Sequence, residues 1–102
     1  AALAVYNAGS DYYSRQMYKE AIEKLSKVEV YGDNWNYLNW TMYQIAMSYK
    51  ELGQTDNAIK VFKEIMARFP GSNYEQYAKN WIDILQQQQQ TQTQEQLQSQ
   101  NQ

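Results

Sequence analysis

The chain has 102 residues and a formal net charge of −2, with 43% hydrophobic residues and no Cys or His. This composition suits one small folded domain and excludes disulfides, thiolate and imidazole catalysis, and the usual zinc and copper ligand sets. The mean hydropathy is −0.84, and no apolar run approaches the roughly 20 residues that a membrane-spanning helix needs. We therefore expect no membrane insertion by this chain and no cofactor.

Two further classes are disfavoured by the residue pattern. Lys and Arg do not form a patch, which argues against nucleic acid as a partner. No signal-peptide pattern is visible. The opening letters AALAVY read as a helix already under way, so we expect the sequence to be a piece of a longer chain.

Hydrophobic periodicity in the first half predicts two helices. The first spans Ala2 to Ser14, and the second spans Tyr18 to Glu29. Gly32, with Asp33 and Asn34, is expected to end the second helix and start the next.

Three more helices follow. The third runs from about Asn36 to Leu52 and is expected to end at Gly53. The fourth runs from a capping Thr55 to Arg68, before Pro70. The fifth covers about 73–85 and opens on a Ser-x-x-Glu capping box at Ser72. Its apolar stripe consists of Tyr74, Tyr77, Ala78, Trp81, Ile82 and Leu85.

The remaining residues, 86–102, form a Gln-rich tail of low complexity. Its default interpretation is a disordered or fraying segment, because it has no apolar face to bury. The alternative is an extension of the fifth helix, since Gln is a fair helix former. The predicted organisation is therefore a helical domain over 1–85 followed by this tail.

An internal duplication relates the first two helices to the next two. Ala21 and Ala58 are equivalent and lie 58 − 21 = 37 positions apart. The two units span about 2–35 and 39–72, and the helix over 73–85 would cap the stack. In the first unit, Gln16 stands where the second has Gly53.

The second unit resembles a tetratricopeptide repeat. Its matching positions are Met42, Ile45, Ala46, Tyr49, Gly53, Ala58, Phe62, Ile65 and Pro70. The resemblance implies an all-α stack of antiparallel helix hairpins, with about two repeats and a C-terminal capping helix. The letters RFPGSNYEQYAKNWI also resemble repeats of bacterial cell-envelope proteins, which implies an extracytoplasmic location.

A second stripe lies beside the packing stripe of the first and third helices. In the resembled family this face lines a concave groove, and here it carries Tyr6, Ser10, Tyr13, Trp40, Tyr43, Met47 and Lys50. The prediction is a partner-binding groove for a peptide or a partner helix. The alternative is that these side chains pack against the fifth helix or against further repeats.

The function predicted from these patterns is a non-catalytic module for protein–protein interaction. Most carboxylates have ordinary places on exposed helix faces or first turns, and no phosphate loop or nucleophile elbow is present. Two alternatives stay open: an accessory module that contacts glycan or peptidoglycan through its aromatic rings, and a self-associating module that forms a homo-oligomer.

Overall fold

Five α-helices make up the protein in a computed structural model, which describes residues 2–31 and 36–100. They are α1 (Ala2–Ser14), α2 (Tyr18–Ser26), α3 (Leu38–Glu51), α4 (Thr55–Arg68) and α5 (Asn73–Gln100). A short 3-10 helix, Lys27–Tyr31, follows α2. The described ranges contain no strand. α1 packs on α2, α2 on α3, α3 on α4 and α4 on α5, so the predicted all-α hairpin stack is confirmed.

The helix ends differ from the predicted ones in a few places. The second helix ends at Ser26 rather than Glu29, because the chain tightens into the 3-10 turn there. The predicted cap at Thr55 is wrong. Gln54 occupies the N-cap position and makes no side-chain capping bond, while Thr55 is already helical. The predicted stop at 32–34 lies outside the described residues.

The turn inside each hairpin repeats at the level of the backbone. Gly53 has φ 77° and Gln16, its equivalent, has φ 63°. In the first hairpin the Met17 amide donates to the Tyr12 carbonyl at 2.9 Å, and in the second the Gln54 amide donates to the Tyr49 carbonyl at the same distance. Each of these hydrogen bonds is the one that ends a helix at a residue in the left-handed conformation. The 37-residue duplication is therefore present in the turn geometry as well as in the sequence.

Most buried apolar residues fall into two clusters, and Val28 of the 3-10 helix is also fully buried. The major cluster joins α3, α4 and α5, and its members are Leu38, Met42, Ala46, Ala58, Ile59, Phe62, Ile65, Ala78, Ile82 and Leu85. The minor cluster joins α2 to α3 and comprises Ala21, Leu25 and Ile45. Apolar burial is thus concentrated in the second hairpin and the helix that covers it.

Gly9 of α1 lies against Leu25 of α2 with no room for a side chain. A Cβ atom built on Gly9 would lie 2.5 Å from Leu25 Cδ2, 2.6 Å from Leu25 Cγ and 3.2 Å from the Leu25 nitrogen. A contact with Leu25 Cγ and its backbone cannot be relieved by moving a flexible side-chain end. The first hairpin therefore depends on the missing side chain at this position.

α5 begins at the predicted capping box and continues well past Leu85. The Glu75 amide donates to Ser72 Oγ at 3.2 Å, and the Gly71 amide donates to the Glu75 carboxylate at 3.2 Å. Farther along, Gln89 Nε2 donates to Asp56 Oδ1 at 2.8 Å. Residues 91–99 are helical and exposed. No helix in the described ranges combines the length and apolarity needed to cross a bilayer.

The left-handed turn residues give a test of the duplication. We expect Gln16→Gly to raise the free energy of unfolding by about 1 kcal/mol, because glycine adopts positive φ without the steric cost that other residues bear. Gly53→Ala should lower it by about 1 kcal/mol for the same reason. Nothing lies within 4 Å of a Cβ built on Gly53, so this cost comes from the backbone alone. Urea titration of the three chains measures both changes.

The control for this pair is Lys60→Gly, at an exposed position inside α4. It should lower the free energy of unfolding by about 1 kcal/mol, because glycine adds freedom to the unfolded chain and has a low helix propensity. Equal effects of Gln16→Gly and Lys60→Gly would contradict the proposed strain at Gln16.

The close approach of α1 and α2 gives a second test. Alanine favours a helix over glycine by about 1 kcal/mol, yet Gly9→Ala should destabilise the protein by about 1–3 kcal/mol because of overpacking against Leu25. Thermal and urea unfolding measure the change. Asn7→Ala, on the exposed side of the same helix, is the matched control and should be neutral or slightly stabilising. A stabilising Gly9→Ala would show that the helices can separate at little cost.

Candidate partner-binding face

The seven predicted groove residues occupy α1 and α3, and every one of them is half-buried. They are therefore neither fully in the core nor fully in solvent. Solvent exposure alone does not separate the two interpretations offered by the sequence, so their contacts have to be considered individually.

Tyr43 lies at the centre of an aromatic cluster between α3 and α5. Its ring stacks on Trp40 with centroids 5.9 Å apart and contacts Tyr74 and Tyr77 edge-on at 5.7 and 6.1 Å. Its hydroxyl oxygen accepts a hydrogen bond from Trp81 Nε1 at 3.1 Å. Offset and edge-on ring pairs of this kind stabilise beyond their burial alone.

The cluster also reaches the core below it. Tyr43 meets the fully buried Phe62 of α4 edge-on, with centroids 6.1 Å apart. Trp40 and Tyr43 thus pack against α5, as the alternative interpretation expects, while both keep part of their surface in solvent. The rings are held from below and exposed above.

Lys50 supplies a cation beside these rings. Its Nζ lies 4.2 Å from the centre of the Trp81 ring, which places it within cation–π distance. The same Nζ lies 2.9 Å from a carboxylate oxygen of Glu51. Lys50 is therefore already engaged by an aromatic face and by an opposite charge.

On α1, the predicted residues make contacts of a different kind. Tyr6 stacks on Tyr37 at 5.8 Å, and Tyr13 meets Tyr18 edge-on at 5.9 Å. Ser10 Oγ donates to Gln44 Oε1 of α3 at 3.0 Å. These side chains extend the row of rings from α3 to the first hairpin.

Sequence reasoning placed three aromatic residues of α5 in the packing stripe and missed their place beside Tyr43. Tyr77 is 47% exposed, and Tyr74 and Trp81 are half-buried. The sequence did contain a signal for this contact, because the apolar stripe of the fifth helix is wide. A helix that packs mainly on one neighbour needs fewer large apolar positions. We call the whole set the aromatic face, and it consists of Tyr6, Tyr13, Trp40, Tyr43, Tyr74, Tyr77 and Trp81.

Two phenols in the aromatic face have raised pKa values. Burial is the main cause of the raised pKa of Tyr13, and Tyr43, Tyr18 and Glu51 add to it. Burial also leads for the pKa of Tyr74, with Tyr77, Tyr6 and Tyr43 contributing. Both groups stay neutral over the physiological range.

The described residues also hold no group of three or more Asp and Glu side chains placed to bind a metal ion.

Comparison with known families identifies the hairpin that carries Trp40 and Tyr43 of this face. A family model described as a tetratricopeptide repeat matches residues 40–72, which include nearly all of α3 and all of α4. Over these residues the chain is similar to a tetratricopeptide repeat. The second repeat predicted from the sequence spans about 39–72. A search of curated proteins found no match to the chain.

This assignment explains the structural side of the pattern. In the tetratricopeptide hairpin, Ala46, Ala58 and Phe62 are fully or almost fully buried in the major cluster, and Gly53 makes the left-handed turn. Each of these residues maintains the shape of the hairpin. Trp40 and Tyr43 are the members of the aromatic face within the matched residues, and Tyr43 also contacts Phe62 of α4.

The raised pKa of Tyr13 predicts a pH dependence. A folded-state pKa above the unfolded value gives stability that is complete below about pH 10, the unfolded value. This stability is lost as the pH rises through the folded-state pKa. Tyr13→Phe should therefore lose less stability than the original chain between about pH 10 and pH 11. Urea midpoints at both pH values measure the difference, and a comparison at pH 7, where phenols are neutral, is the control. Parallel losses in the two chains would contradict the assignment.

Proposed function

We propose that the protein is a non-catalytic interaction module whose aromatic face binds an uncharged peptide segment or partner helix. The observation that carries this proposal is the ring cluster around Tyr43, whose members are fixed by one another and remain partly exposed. Tyr and Trp are the residue types most enriched in the energetic centres of protein interfaces.

The repeat itself supports a protein partner. Tetratricopeptide repeats suggest protein–protein interaction scaffolds and are typically non-catalytic, and the match covers the hairpin that supplies Trp40 and Tyr43. Fold alone does not determine function. The proposal therefore depends on the chemistry of the aromatic face rather than on the repeat.

Rigidity favours binding by this surface. Trp40 is held by Tyr43 and Tyr74, and Tyr43 is held in turn by Phe62 and Trp81. Side chains that are already ordered lose little conformational entropy when a partner arrives. A partner that binds here contacts apolar surface that is already ordered. Less of the binding free energy is therefore lost to ordering side chains.

The charge of the face favours a neutral partner segment. Lys50 is the cation beside the rings, and it is neutralised by Glu51 at 2.9 Å. A partner carboxylate would have to compete with that ion pair. Aromatic rings with few fixed charges instead suit apolar or proline-containing segments, or the apolar side of a helix.

A peptide-display selection tests the proposal directly. The full chain is immobilised, a random 12-residue library is selected on it, and a recovered peptide is titrated by fluorescence anisotropy. We expect uncharged, apolar or proline-containing peptides. We also expect Trp40→Ala to weaken their binding at least tenfold, because the central ring of the contact is lost. Lys63→Ala, at an exposed residue of α4, is the control and should leave the affinity unchanged.

Because Trp40 also packs inside the protein, its unfolding midpoint is measured alongside, and Trp40→Phe is included. The phenylalanine variant should keep the fold and recover part of the affinity. Selected peptides that bind Trp40→Ala as well as the original chain would overturn the proposal. A change in tryptophan fluorescence on adding oligosaccharide, with no peptide recovered, would favour the glycan alternative instead.

A further inference from the structure

The surface where α3 meets the first hairpin is unusually polar. On the side of α3 facing α1 and α2, the buried polar residues Thr41, Gln44 and Ser48 are 0%, 3% and 0% exposed. Residues three and four positions apart share one face of a helix, and Gln44 contacts α1 through Ser10. We call this surface the inter-repeat interface.

This interface has few fully buried apolar residues, while Tyr6, Tyr12, Tyr13 and Ile22 of the first hairpin pack against it only partly buried. Ile45 is the α3 member of the minor cluster, where it joins Ala21 and Leu25. By contrast, Leu38, Met42 and Ala46 of the same helix belong to the major cluster with α4 and α5. Because stabilisation by apolar burial scales with the buried area, α3 is held more strongly by α4 and α5 than by the first hairpin.

Two of these polar side chains form hydrogen bonds to the backbone one turn earlier in their own segment. Ser48 Oγ donates to the Gln44 carbonyl at 2.7 Å, and Thr41 Oγ1 donates to the Tyr37 carbonyl at 2.9 Å. Such bonds to the preceding turn persist whether or not another helix is present. The Ser10–Gln44 hydrogen bond, in contrast, crosses the interface and exists only while α1 is in place.

We propose that the first hairpin, α1 with α2, opens from α3–α5 as a unit along the inter-repeat interface, and that the Ser10–Gln44 hydrogen bond is the latch that restrains this opening. When the hairpin opens, Thr41 and Ser48 keep their hydrogen bonds to their own helix turn. The free energy of opening is therefore lower than the free energy of unfolding the major cluster. This inference does not depend on whether the aromatic face binds a partner.

The aromatic face crosses the same interface. Trp40, Tyr43, Tyr74, Tyr77 and Trp81 all lie on the α3–α5 side, whereas Tyr6 and Tyr13 lie on α1. The stack of Tyr6 on Tyr37 also spans the boundary. Opening therefore leaves one wall of the face intact and moves the other, which makes the width of the face adjustable.

Hydrogen exchange of the full chain tests the opening. Amide exchange near neutral pH reports the free energy of each local opening. It reports this one because α1 and α2, with 13 and 9 residues, are too short to keep their backbone hydrogen bonds once they leave the stack. We expect the most protected amides of α1 and α2 to exchange at least tenfold faster than those of α3 and α4, and to form one group of similar opening free energy. Uniform protection across α1 to α4 would overturn the proposal, because it would show one cooperative unit.

A double-mutant cycle tests the latch. Ser10→Ala leaves the buried Gln44 amide without this partner, so exchange in α1 and α2 should speed up about five- to tenfold, with little change in α4. Ser10→Ala with Gln44→Met replaces both groups by apolar ones of similar size and should restore protection. Gln44→Met alone completes the cycle. The change in helix propensity caused by Ser10→Ala is the same with Gln44 or with Met at that position, so it cancels in the comparison.

The matched control is Gln76→Ala, which removes an exposed side-chain hydrogen bond to Asn80 of 2.9 Å. It should leave exchange unchanged in every helix. If Ser10→Ala accelerates exchange equally in α1 to α4, or if the double variant stays as fast as Ser10→Ala, the latch is excluded.

Discussion

A helix hairpin has more apolar surface than its two helices can bury against each other, and this constraint governs the whole arrangement. α4 shows it most clearly: Ala58, Phe62 and Ile65 are fully buried, and they need α3 on one side and α5 on the other. α5 in turn presents Ala78, Ile82 and Leu85 to the stack. Away from that contact it shows polar side chains at Gln76, Lys79, Asn80 and Asp83, all exposed. The same helix also leaves Tyr77 and Ile84 exposed, at 47% and 43%, so its outer surface is not wholly polar.

The sequence was sufficient to predict the elements whose causes are local or periodic. The helix stripes, the turn at Gly53 and the capping box at Ser72 depend on neighbours within a few residues, and each is found in the structure. The equivalence of Gln16 and Gly53 followed from spacing alone. Its structural meaning did not, because hairpin packing holds Gln16 at a positive φ that its side chain does not favour.

The aromatic face was less predictable because it depends on how α5 is rotated about its own axis. Periodicity identified Tyr74, Tyr77 and Trp81 as apolar positions but did not show which of them face α4 and which face α3. Burial of Ala78 and Ile82 sets that rotation, and it brings Trp81 within hydrogen-bonding distance of Tyr43. Similarly, a Gln-rich sequence allows both a helix and a disordered tail. In the structure the Gln-rich segment continues the helix α5, so it forms helix without a separate nucleation step.

The length of α5 has a mechanical consequence. The same continuous helix contributes Trp81 to the aromatic face and extends to Ser99, with Gln89 tied to α4 through Asp56. At 1.5 Å per residue, Ser99 lies about 27 Å along the axis from Trp81. A rigid tilt of about 10° at the aromatic face would therefore move the helix near Ser99 by roughly 5 Å. The length of α5 would therefore convert a small rotation near Trp81 into a displacement of several ångströms near Ser99.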